Sequence, residues 1–309
     1  MPLKSPAVQT SVLVAHWQTS WTLLVALAVE VAVLVWYLMS VRRLARGGRR
    51  WPGQRTASFV VGLAVLAYLV EGGLAHYQRI NFTAHVVQLV LIAYVVPPLL
   101  AVGAPLRLGL QTLRRRPSAV LAGALHSRVA RALTQPLVAC GVFIATLYLY
   151  FLTPLYTSSE AHPSFLVLVD LVFVLGCALF WWVVAGRDAL PRTTGFGMRF
   201  VVLVVTVPFN AFLGLAVAGV SRPLYAAANT LADTHRGGDV LWGLSEVIVV
   251  AALGLLFVEW AREEERKAVN ADRQFDAAMT AARAATAAAP AGESGFGSSG
   301  EDVGLSRAP

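Results

Sequence analysis

Seven long apolar runs constrain this chain more than any other feature. They lie at roughly 20–41, 56–75, 85–106, 137–155, 164–186, 199–220 and 240–261. A helix of about 20 apolar residues crosses the hydrocarbon core of a bilayer. Lipid offers no hydrogen bonds, so each crossing segment must satisfy its own backbone, as a helix does. The runs are continuous rather than alternating, which favours helices over barrel strands. An all-α, polytopic membrane bundle of seven helices is therefore expected. Composition agrees: 14% of residues are charged, against about a quarter in soluble domains. The first run is too long for a signal-peptide core and lacks a basic segment just before it, so it is read as a retained span.

The gaps between runs set the expected orientation. Gap 42–55, RRLARGGRRWPGQR, holds six arginines and gap 107–136 holds six more. Gap 187–198 holds two, with Arg199 at its edge. The alternate side carries only Lys4, Arg79, Arg222 and Arg236. Basic residues next to spans stay on the cytoplasmic side. The N-terminus is then outside, the C-terminus cytoplasmic, and the location the cell membrane, multi-pass. The net charge of +8 reflects this topology and gives no reason to expect nucleic-acid binding. Three regions follow: an exterior segment 1–19, the transmembrane domain 20–261 and a cytoplasmic tail 262–309. The tail is alanine-rich and expected to be helical to about 289. Beyond Pro290 it is low in complexity and expected to be disordered.

This topology sorts the polar residues. His16, His76, His85, His162 and His235 fall on the outer side, and only His126 on the cytoplasmic side. Asp233 and Asp239 flank His235 in an expected outer loop, LADTHRGGD. Imidazole and carboxylate are ligands for copper or zinc. Four acids, Glu30, Glu71, Asp170 and Glu246, lie within or near the runs, as do Gln88 and Asn210. Intramembrane acids are costly and normally face the bundle interior with a partner. An outward-opening cavity lined by acids and roofed by histidines is the expected arrangement. The same residues also have plain structural uses: histidine suits interfaces, and acids hydrogen-bond between helices. Pro97, Pro98 and Pro208 are expected to kink or break their helices. Cys140 and Cys177 sit inside apolar runs and form neither a disulfide framework nor a CxxC site. No phosphate loop, nucleophile elbow, HExxH or dinucleotide glycine pattern occurs, so the chain is not expected to be an enzyme.

Over most of residues 30–262 the sequence resembles the CtaG-type cytochrome c oxidase assembly proteins. The resemblance rests on WYLMSVRRLARGGRRWPGQRTASFVVGLAVL, NFTAHVVQLVLIAYVVPPLLAVGAPLRL, LFWWVV, VPFNAFLGLAV and RPLYAAANTLADTHRGGDVLWGLSEV, in that order and spacing. It implies a seven-span fold and a role in copper delivery to the oxidase of the respiratory chain. Members typically pair two histidines at i and i+4 in the third span, on one helical face. Here His85 matches the first and Leu89 stands in the second. Asn210 stands where a histidine is common, and Asp170 replaces another ahead of the FWW motif. Asp233 and Glu246 match the family pattern.

Three readings follow. The first is an assembly factor for a haem–copper oxidase, with copper held transiently at the outer face by His85 together with His162, His235 or Asp233. Its partners are then oxidase subunits or copper-handling assembly factors. The second keeps the fold without metal, as a membrane scaffold for those partners. The third is a proton- or cation-coupled transporter using the intramembrane acids.

Overall fold

A computed structural model of the chain describes residues 21–72, 74, 81–155, 163–192, 194–224 and 230–288. The described residues are helical, with no strand among them. The helices, in chain order, are α1 (Trp21–Arg46), α2 (Gly53–Glu71), α3 (Phe82–Tyr94), α4 (Val96–Val102), α5 (Pro105–Thr112) and α6 (Arg115–Leu125). They continue with α7 (Arg128–Leu133), α8 (Pro136–Leu152), α9 (Pro163–Ala185), α10 (Phe196–Ala218) and α11 (Leu231–Ala288). Six stretches are long and apolar enough to cross a membrane: Leu24–Arg46, Gly53–Glu71, Phe82–Thr112, Leu168–Ala185, Phe196–Ala218 and Leu231–Ala284. The run expected at 137–155 forms α8, a shorter apolar helix of 17 residues.

The third run is broken where its prolines predict. α3 closes at Tyr94, and α4 carries Pro97 and Pro98 in its first turn, where a missing N–H costs least. Ala104 takes a left-handed conformation (φ 51°) between α4 and α5. Gly103 precedes it because the Phe59 side chain lies where a Cβ would sit. Pro208 is accommodated inside a continuous α10.

The chain divides into two compact units, Met1–Leu256 and Phe257–Pro309. In the first, the main apolar core joins Leu69 of α2, Phe82, Val90 and Tyr94 of α3, Phe143 and Tyr150 of α8, and Phe173, Phe180 and Trp181 of α9. Leu203 and Leu213 of α10 and Leu241 and Val249 of α11 complete it. A smaller cluster holds Tyr37, Leu44, Phe59, Leu63 and Leu108. There Tyr37 stacks on Phe59 at 4.0 Å and donates its hydroxyl to Gly103 O at 2.8 Å. In the second unit most described residues of α11 are exposed, charged residues and alanines alternating with exposed apolar ones such as Val269, Phe275 and Met279, and Lys267 pairs with Glu263 (3.4 Å) and Glu264 (2.9 Å).

The expected outer loop LADTHRGGD is helix instead. Thr230 starts it: its hydroxyl accepts the Asp233 N–H at 3.2 Å, the usual role of a threonine at an N-cap. Gly237 and Gly238, within that expected loop, are packing residues. A Cβ on Gly238 would overlap the backbone of Gly214 and Ala218, and one on Gly237 would overlap the Phe82 ring. The glycines therefore let α11 lie against α10 and α3 at backbone distance, as small residues do between membrane helices.

Candidate functional site

The mouth of α3 gathers several buried polar groups, among them Glu71, His85, Gln88 and Asp233. Asn81 caps the helix, its side chain accepting the Ala84 N–H at 2.9 Å. Asp233, from α11, adds a second cap. Its Oδ2 accepts the Phe82 N–H at 2.6 Å and its Oδ1 accepts the Thr83 hydroxyl at 2.7 Å. The first N–H groups of a helix have no partner of their own, and a carboxylate also suits the positive end of the helix dipole. Asp233, 6% exposed, thus fastens two helices together.

One turn further in, His85 is 4% exposed. Its Nε2 lies 3.4 Å from the Tyr150 hydroxyl, with the two rings 6.1 Å apart. Gln88 donates from Nε2 to Leu69 O at 2.6 Å, satisfying a carbonyl in the last turn of α2. Leu89, on the same face as His85, is 6% exposed and belongs to the apolar core. Glu71 is 3% exposed, and among the described residues neither of its carboxylate oxygens meets a hydrogen-bond donor. Glu30, half-buried on α1, is within electrostatic range of it.

A second polar group lies deeper. Tyr94 donates to Asn210 Oδ1 at 2.7 Å, with Ser245 and Glu246 close to the same hydroxyl. Trp181 donates its indole N–H to Ala93 O at 2.8 Å. Sequence reasoning singled out Asn210 and Glu246 but not Tyr94, Tyr150 or Thr83, which complete the contacts. Tyrosines near helix ends are by default residues of the membrane interface, and only packing distinguishes the buried ones.

His235 is half-buried in the first turns of α11. Its Nε2 lies 3.0 Å from Val220 O. A carbonyl only accepts, so Nε2 is the donor in this contact, and in the neutral ring Nδ1 would hold the lone pair. Asp239 is exposed. Asp170 departs from the expected inward orientation: it is exposed. The core-facing stripe of α9 runs through Val169, Phe173, Cys177 and Phe180, and Asp170 stands at its edge. Asp170 makes no hydrogen bond or ion pair among the described residues.

Of the expected metal ligands, His162 lies outside the described residues, as do His16 and His76. Among the described residues no three His, Cys, Asp or Glu side chains are grouped so as to hold a metal ion. The described part of the ligand set, His85, Asp233 and His235, therefore does not form a metal centre by itself. His126, on the arginine-rich side, is exposed at the end of α6 with Nδ1 2.7 Å from Ala122 O.

The family model of the cytochrome c oxidase caa3 assembly factor (Caa3_CtaG) matches residues 35–263. Uncharacterized proteins of Mycobacterium bovis and Mycobacterium tuberculosis are each 29% identical over 266 residues, covering 81% of this chain and 40% of theirs. One of Mycobacterium leprae is 27% identical with the same coverage. The chain thus spans about two-fifths of the length of the curated relatives it matches. No solved structure matches it.

Proposed function

We propose a membrane-embedded role in oxidase maturation for this chain, which belongs to the cytochrome c oxidase caa3 assembly factor family. It acts without catalysis, by engaging another membrane polypeptide of the oxidase or of its assembly machinery. Asp170 carries this reading. An accessible carboxylate, with no partner among the described residues, sits on a helix long and apolar enough to cross a membrane. An acid at such depth is kept where something meets it. A lysine, arginine or amide donor on a partner helix has the complementary chemistry.

The test uses the full chain in its own host. Asp170→Leu is expected to reach the membrane at wild-type level, yet lose co-purification with oxidase subunits and lower assembled oxidase. Asp170→Asn keeps a hydrogen-bonding group and is expected to fall between. Wild-type oxidase levels with Asp170→Leu would sink the contact. A deletion strain with intact oxidase would sink the assembly role itself.

Copper as cargo is a second reading, and the His235 tautomer supports it. A ring whose Nε2–H is held by a carbonyl is oriented as metal-binding histidines usually are, with Nδ1 as the ligand atom. Further ligands would come from His162, His85 or Asp233. Copper titration of purified protein compares wild type with a His85→Ala, His235→Ala double variant. Equal affinity removes both histidines from copper handling.

A further inference from the structure

Residues 113–135 link the apolar stretch Phe82–Thr112 to the apolar helix α8. The gap 107–136 carries six arginines and no Asp or Glu. Its two helices after α5, α6 and α7, are 11 and 6 residues long and have no buried residue. Helices shorter than about 12–15 residues are marginal in water without packing. Charge asymmetry across the membrane requires only arginines near the spans, so it leaves these helices and their apolar residues unexplained.

The protein covers one edge of α6. Ser118 donates its hydroxyl to Leu110 O at 3.2 Å, and the Leu121 side chain lies 3.4 Å from where a Cβ on Gly109 would sit. α6 is thereby fixed to α5, at the arginine-rich end of the stretch Phe82–Thr112. Elsewhere the two helices are open and apolar. Val120 is 73% and Val129 67% exposed, and Leu133 is exposed as well. Val129 and Leu133 are i, i+4 neighbours on one side of α7, and Val120 stands at i+4 from Arg116 on α6. Leu137 and Val138, exposed at the start of α8, follow directly in the chain. Arg114, Arg115, Arg116, Arg128 and Arg131 are exposed on the same segment.

We propose that α6 and α7 form an interfacial element. It sinks Val120, Val129 and Leu133 into the membrane surface and binds anionic phospholipid headgroups through its arginines. Helices with an apolar side and a basic remainder lie at the headgroup boundary, held by apolar burial and by attraction to anionic lipid. An arginine stem lies along apolar surface while its guanidinium reaches phosphate oxygens bidentately. Clustered arginines with no acid among them complement an anionic leaflet. Apolar helices lead into and out of the segment, which tethers it to the bilayer surface. The inference rests on the membrane reading above.

Hydrogen exchange of the full chain in nanodiscs tests it, read on peptides from residues 115–133. Nanodiscs of phosphatidylglycerol are compared with nanodiscs of phosphatidylcholine. The segment is expected to exchange on the order of 100-fold more slowly in phosphatidylglycerol, since each arginine near an anionic surface contributes about fivefold. Arg116→Gln is expected to lose about fivefold of that slowing, and Arg128→Gln, Arg131→Gln together about 25-fold. Val120→Asp, Val129→Asp alters only exposed side chains and is expected to abolish it. Peptides from the buried core of α3 are the internal control: equal exchange there in every sample shows that the fold is kept. Equal exchange of the segment in the two lipids overturns the headgroup site. Unchanged slowing in the aspartate variant overturns insertion of the apolar side. Fast exchange in both lipids, with protection only after the purified host oxidase is added, would make a protein the occupant and also overturns the proposal. Carbonate extraction is run alongside. A chain released by carbonate contradicts the membrane reading, whereas a retained chain whose segment exchanges freely in both lipids contradicts this inference alone.

Discussion

Asp233 and Phe82 are 151 positions apart, yet the carboxylate of one accepts the backbone N–H of the other at 2.6 Å. This bond joins the start of α3 to the start of α11. Asp233→Ala would leave a buried N–H and the Thr83 hydroxyl without this acceptor. The expected cost is about 2 kcal/mol, the usual range for a lost cap plus a stranded buried donor. Asp233→Asn, which keeps one acceptor oxygen, should lose about half of that. Thermal unfolding in detergent checks both. An unchanged midpoint for Asp233→Ala would show that the cap is dispensable.

Gly238 separates packing from flexibility. A methyl there would overlap Gly214 and Ala218 backbone, which cannot rotate away. Gly238→Ala is expected to destabilise by about 2–3 kcal/mol, as overpacking does. Gly243→Ala, on the same helix with open space around it, should be neutral or stabilising by up to about 1 kcal/mol, the helix-propensity gain. If the two variants behave alike, close approach of α10 and α11 is not the reason for the glycine.

Tyr94 and Asn210 are coupled through a bond of 2.7 Å. The Asn210 Nδ2 already lacks a partner among the described residues. Tyr94→Phe would strand the amide oxygen too, at a cost of about 1–2 kcal/mol. In a double-mutant cycle with Asn210→Ala, a coupling of about 1 kcal/mol is expected. Additive effects would mean that the two residues act separately.

Asp170 should behave oppositely to these three. On the membrane reading proposed above, replacing an accessible acid within a span by leucine removes a group that costs about 2.5–3.5 kcal/mol at a span centre and less toward its ends. Asp170→Leu is therefore expected to unfold no earlier than wild type in detergent, while weakening association with the oxidase. A clear loss of thermal stability would instead assign Asp170 to internal packing.

Leu89 records what the i, i+4 spacing on α3 is used for here. His85 and Leu89 share a helical face, and that face is buried in the apolar core. Leu89→His would place a polar ring among Val86, Val90 and their neighbours, at a cost of about 2 kcal/mol or more. A lowered unfolding midpoint is the expected result. A midpoint held or raised by added copper would show that the helix face still accepts a two-histidine site.

The seven apolar runs were enough to specify helices, because apolar length and backbone self-satisfaction depend only on local sequence. The proline breaks after Tyr94 were equally legible, since a missing N–H acts within one turn. The segment LADTHRGGD was not. Its glycines carry the same letters whether they make a turn or a close helix contact, and only α10 and the Phe82 ring decide between the two. Gln88 and Asp233 suggested a site from sequence; in the fold their polar atoms satisfy the ends of α2 and α3.

The sequence by itself determined the helical class, the asymmetry of positive charge and the supply of polar residues within apolar runs. Tertiary structure alone decided which of those residues are capped, paired or accessible. Hydrogen bonds such as Asp233 to Phe82 and Tyr94 to Asn210 join segments far apart in the chain. Their formation depends on the distances between packed helices, which no local periodicity encodes.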